Sequence, residues 1–218
     1  MSYRITDQIG DFINKVMMGT EMMHTCRHNE PVIYIRNNRF NVEHILIHNI
    51  KDLLTRCKPQ DIFILCASLK STFVRKLENI LVLNNIPCFV PNFEAEKLDE
   101  RVINGKIVFS TFHSVKGRQR PYVFILGFDN NYFTHYARTL PKNECPNTLY
   151  VGASRPQKQL YLVEYEQFSN DRPLEFLQLS HKQMDSNSCS FVRFNGTPRS
   201  YSDYDSDLVE LKPVLDKR

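Results

Sequence analysis

The chain has 218 residues, 42% hydrophobic and 24% charged, the proportions of an ordinary globular protein rather than of a disordered one. That length accommodates one well-buried core with appendages, and two full domains would be cramped. A formal charge of +4 at pH 7 permits contact with nucleic acid without demanding it, since a dedicated basic binder clusters its Lys and Arg.

The six cysteines (Cys26, Cys57, Cys66, Cys88, Cys145, Cys189) lack Cys-x-x-Cys spacing. Cys66 and Cys88 sit in apolar runs, where a thiol behaves as a small hydrophobe, so a reducing intracellular setting, cytoplasmic or nuclear, is expected. No charged segment leads into an apolar one at the start, and no run of about 18 apolar residues occurs anywhere. Neither secretion nor a membrane partner is expected.

In chain order, Ile9, Phe12, Ile13 and Val16 recur at helical spacing, so a helix is expected between Ile5 and Met18 with Thr6 as its N-cap. Residues 32–36, VIYIR, are a β-branched run, and NVEHILIHNIKDLL repeats Val42, Ile45, Leu46 and Leu53 at helical intervals. DIFILC (61–66) is an apolar strand candidate; Ser71 caps a helix through Leu83, and Asn84-Asn85 ends it before IPCFV. KIVFST, YVFILG and QLYLVEY supply three further apolar runs. Strands apolar on both faces and separated by helices predict an α/β domain, a parallel sheet covered on both sides. That domain is expected to span residues 1–179. Residues 180–218, rich in Ser, Asp and Tyr, are expected to form a loosely ordered tail, with Ser190–Phe194 as an optional edge strand before an acidic segment.

Two stretches carry polar residues where chemistry is plausible. STFHSVKGRQRPYVFIL (110–126) places Thr111, His113, Lys116 and Gly117 after a strand, and ligands of open α/β sheets bind outside the carboxyl ends of strands. Thr, His and the N–H groups of a glycine turn suit phosphate oxygens, although a helix-capping loop with a solvated lysine explains the same residues. In NTLYVGASRPQKQLYLV (147–163), Arg155 falls at the end of a helix, just before Pro156. A fixed guanidinium there suits an anion, and it equally suits the negative end of the helix dipole.

Together these stretches resemble the UvrD/Rep-type superfamily 1 DNA helicases. TFHSVKGRQRPYVFILGFD resembles motif V, usually T-x-H-x-x-K-G-x-E before a strand. LYVGASRPQKQLYLV resembles motif VI, usually L-Y-V-A-x-T-R-A before a basic pair and a strand. The opening SYRITDQIGDFINKVM resembles motif IV, and the likeness extends from about Ser2 to Glu166. It implies a second RecA-like domain of the P-loop NTPase superfamily, the C-terminal motor half of an ATP-dependent helicase of repair or replication. Arg4 and Arg155 would then reach the γ-phosphate, Gly117 and Gln119 would stand at the nucleotide, and Thr111, His113 and Lys116 would lie on the path of single-stranded DNA.

The sequence departs from that pattern in specific ways. None of its seven glycines opens a G-x-x-x-x-G-K-[ST] loop, so ATP and its Mg²⁺ would be held by a separate Walker-containing N-terminal domain or subunit. The chain alone is expected to be inactive as an ATP hydrolase. Its start so near motif IV would fit a split protein or a gene fragment, and the other reading is a degenerate helicase half that binds nucleic acid or a partner without catalysis. Gln119 replaces the motif V glutamate, keeping an acceptor but losing charge, and Ser154 replaces a threonine while keeping the hydroxyl. The large subdomain that many members insert before KIVFST is absent. No metal site is expected: His24, Cys26 and His28 lack a second ligand pair, and Asp203, Asp205 and Asp207 lack the glycine and distal glutamate of a calcium loop.

Overall fold

The computed structural model describes residues 5–25, 27–36, 42–91, 99–164 and 172–196. Seven strands form one sheet: β1 Val32–Arg36, β2 Ile62–Cys66, β3 Cys88–Phe89, β4 Ile107–Thr111, β5 Arg120–Leu126, β6 Pro156–Glu164 and β7 Val192–Phe194. Their order is β3-β4-β2-β5-β6-β1-β7, and every pairing is parallel. β1, β2 and β4 are buried throughout, which is why they read as largely apolar runs, with polar residues confined to the carboxyl ends of β1 and β4.

Alternation along each strand divides the core into two layers. On one face, Ile33, Ile35, Ile62 and Ile64 pack under α2 (Val42–Leu54) and α3 (Thr72–Leu83). On the other, Tyr34, Phe63 and Leu65 meet the opening helix and α5 (Asn147–Ala153). The Ser71 hydroxyl accepts from the Val74 N–H at 3.2 Å and so starts α3. Ser71→Ala is expected to lower unfolding stability by about 1 kcal/mol, read from the midpoint of urea denaturation at unchanged slope.

The expected helix between Ile5 and Met18 forms with Thr6 as N-cap, but only α1 (Asp7–Asp11) is α-helical. Phe12–Met18 continues as a π-helix, ended by Gly19 at φ 65°. Its wider turn puts Phe12, Ile13, Val16 and Met17 on the core side, and the Asn14 side chain binds Met22 and Met23 of the following segment.

Ordered structure does not stop at Leu179. The edge strand anticipated at Ser190–Phe194 is β7, paired with β1. Before it lies an unanticipated helix, α6 (His181–Asp185), opened by a reciprocal Ser180–Gln183 capping box. Met184 and Val192 join the main core, which makes this unit part of the domain. Asp203, Asp205 and Asp207 lie outside the described residues.

α6 also closes a buried polar cluster. Glu164, at the end of β6, accepts from the Tyr34 hydroxyl and lies 3.0 Å from His181 Nε2 through both carboxylate oxygens. Arg36, at the end of β1, pairs with Asp185. Burial pushes the Asp185 carboxyl above its usual range, opposed by Arg36. Burial also drives the Tyr34 hydroxyl well up, aided by Glu164.

Candidate functional site

Thr111 is the last residue of β4, whereas Arg120 and Pro156 are the first residues of β5 and β6 and pair with each other. Because the strands are parallel, the expected site residues fall at opposite edges of the sheet. Thr111 stands at the carboxyl edge. Gln119 and Arg155 stand at the amino edge, and the connection between β4 and β5 crosses one face of the sheet to join them.

At the carboxyl edge Thr111 is 3% exposed, and its hydroxyl is 3.0 Å from Ser114 Oγ and accepts from the Ser114 N–H at 3.3 Å. The residue therefore shapes the turn and does not itself face solvent. His113 and Lys116 are exposed, while Phe112 and Val115 are buried and anchor the turn in the core. Gly117 has φ +80°, a left-handed conformation that a side chain would strain.

At the amino edge, Arg155 is half-buried just past α5. Its Nε donates to Val151 O and its Nη2 to Ser154 Oγ, both at 2.9 Å. Ser154 Oγ in turn donates to Val151 O at 2.9 Å. Both acceptors of the guanidinium are neutral. Among the described residues no carboxylate pairs with it, and burial lowers its pKa from the usual arginine value. Gln119 Nε2 approaches Ser154 O at 3.5 Å, so the ends of the two expected motifs touch. Between the pairs Arg120–Pro156 and Tyr122–Gln159, β6 carries one residue more than β5, a bulge immediately after Arg155.

Other polar residues at this edge escaped sequence reasoning. Arg120 is 8% exposed; its Nη1 donates to Ile62 O and Lys106 O at 3.0 and 3.1 Å, and its guanidinium lies 4.4 Å from the Phe63 ring centroid. Burial brings its pKa down to about 10. Arg118 bonds Glu100. Arg118, Arg120 and Glu100, with Gln60, Asp61 and Gln119 itself, line a cavity of about 400 Å³. The only sequence signal was the Arg118-Gln119-Arg120 run, which does not say which arginine turns inward.

Arg4 and Cys26 lie outside the described residues, and among the described residues no group of His, Cys, Asp or Glu could hold a metal ion. Likewise, no helix among them is long and apolar enough to cross a membrane.

Sheet order, uniform parallel pairing and helices on both faces define a RecA-like α/β domain. Residues 91–167, which include Thr111, Gln119 and Arg155, match the model of the UvrD-like helicase C-terminal domain family. The fold is similar to that of the C-terminal domain of a possible DNA helicase from Lactobacillus plantarum WCFS1, at TM-score 0.59 and 15% identity, covering 89% of this chain and 99% of that one. E. coli DEAD-box protein SrmB, solved bound to regulator of ribonuclease activity A, aligns at TM-score 0.38 and 17% identity over 64% of this chain and 79% of its own. No curated protein matches the sequence.

Proposed function

We propose that this domain is the C-terminal motor half of an ATP-dependent superfamily 1 DNA helicase, supplying Arg155 to a nucleotide held by a separate Walker-containing domain. One observation carries the reading: a half-buried, permanently charged guanidinium is fixed by neutral acceptors and has no carboxylate partner among the described residues. Such a group is oriented in advance and still short of an anion, which suits a phosphate arriving from outside the domain.

ATP supplies the phosphoanhydride to be cleaved, with Mg²⁺ held by the partner domain. Charge that builds on the γ-phosphoryl oxygens is stabilised by an arginine delivered across the cleft, so closure of the two domains and hydrolysis are linked. Arg4 is assigned the same role by its place in motif IV. Gly117, assigned to the nucleotide by its place in motif V, ends the turn and leads the chain toward Gln119, which presents an amide to the nucleotide sugar. At the opposite edge, His113 and Lys116 face single-stranded DNA, with Thr111 holding their turn from beneath.

The test is ATP hydrolysis by this chain alone and mixed with a Walker-containing partner, each with and without single-stranded DNA. Turnover confined to the mixture supports the reading, and silence in all four conditions together with retained strand binding converts the domain into a binding module. Strand affinity should fall with salt, and Lys116→Ala should reduce the slope of log K against log[salt] by about 0.7, the value for one phosphate contact on a single strand.

A further inference from the structure

Gly152 sits inside α5, and its φ is not positive, so the backbone there has no need of glycine. Within a helix glycine is less stable than alanine by roughly 0.5–1 kcal/mol, which calls for a compensating reason. That reason is a close approach. A Cβ on Gly152 would lie 2.8 Å from Phe112 Cδ1 and 2.9 Å from Cε1, distances no neighbour tolerates without moving.

The contact joins the two edges described above. Phe112 lies between Thr111 and the exposed His113, so its ring is the buried root of the turn that also presents Lys116. The ring also meets Tyr132 edge-on at 6.4 Å, and the Tyr132 hydroxyl bonds Thr148 on α5. On the helix side, the peptide groups flanking Gly152 both hold Arg155. Val151 O accepts from Arg155 Nε at 2.9 Å, and Gly152 O accepts from the Arg155 backbone N–H at 3.1 Å.

We propose that Phe112 and Gly152 are positioning residues, a ring-on-backbone contact through which the turn carrying His113 and Lys116 sets the placement of Arg155. The inference rests on the functional reading above for what the two ends bind. A displacement of the turn drags the ring, and the ring lies where a side chain at 152 would stand, so it packs against the stretch of α5 whose carbonyls hold Arg155. Ring and missing methyl are complementary in volume, so the coupling should be lost when a methyl is added at 152 and regained when the ring is also reduced.

The experiment uses the full chain, with the Arg155 Nε–H signal in ¹H–¹⁵N spectra as the probe at one end and oligodeoxythymidylate as the ligand at the other. Addition of the oligonucleotide should shift that signal in the parent protein, should leave it unmoved in Gly152→Ala at saturating oligonucleotide, and should shift it again in Gly152→Ala/Phe112→Val. A merely structural role would alter the free spectra without restoring the response in the double variant. An equal response in all three proteins overturns the coupling while leaving the helicase reading intact. Absence of oligonucleotide binding by the parent protein removes the strand assignment, and the coupling with it.

Discussion

Arg155→Ala is expected to lower ATP hydrolysis by the domain with its Walker-containing partner by roughly 10³-fold or more, with binding of single-stranded DNA retained. The size follows from where the charge acts. An arginine that meets the γ-phosphoryl group in a closed cleft contributes to the transition state far more than to ground-state binding, so kcat should carry the loss. Arg155→Lys separates charge from geometry. The native guanidinium uses Nε for Val151 O and Nη2 for Ser154 Oγ, a two-pronged hold that a single ammonium does not reproduce. Lysine should therefore behave more like alanine than like arginine in steady-state phosphate release. A lysine variant at the parent rate would show that positive charge alone suffices and that the hold by Val151 and Ser154 is incidental. Equal loss of hydrolysis and strand binding in the alanine variant would remove the γ-phosphate assignment altogether.

Most of the sheet was legible because its strands are buried on both faces. VIYIR and IFILC carry no charged or amide side chain before the last residue, IVFST interrupts its apolar run only with the small Ser110, and Thr6 and Ser71 mark helix starts by local hydrogen bonds that sequence patterns capture. The motif residues were legible as a set but not in space. Whether Thr111 and Gln119 share one edge depends on how the connection from β4 to β5 runs, and that path is set by the burial of Phe112 and Val115 against residues far away in the chain. α6 was illegible for a related reason. His-Lys-Gln-Met-Asp reads as solvated loop by composition, yet His181 and Asp185 pair with Glu164 and Arg36, which arrive from the ends of two strands. Local sequence carries no trace of partners separated by such distances, and the exposure of a polar residue cannot be judged without them.

That same cluster gives the largest expected change in stability. Glu164 is completely buried and serves two neighbours at once, the Tyr34 hydroxyl and His181 Nε2. Glu164→Leu removes the shared acceptor while both neighbours stay buried, Tyr34 at 0% and His181 at 4% exposure. Breaking a buried polar pair from one side costs about 3–5 kcal/mol, a large share of the stability of a domain this size, and the loss should appear as a lower urea midpoint. The triple variant Tyr34→Phe/Glu164→Leu/His181→Leu takes away the donors together with the acceptor, so neither group that faced Glu164 is left against an apolar side chain, and stability should recover most of the difference. A triple variant no better than the single one would mean that the cluster is net stabilising in its own right. Amide exchange distinguishes where the weakness lies: because α6 and β7 are held to β1 and β6 through these side chains, protection of Val192–Phe194 should fall in Glu164→Leu well before protection of the central strand β5.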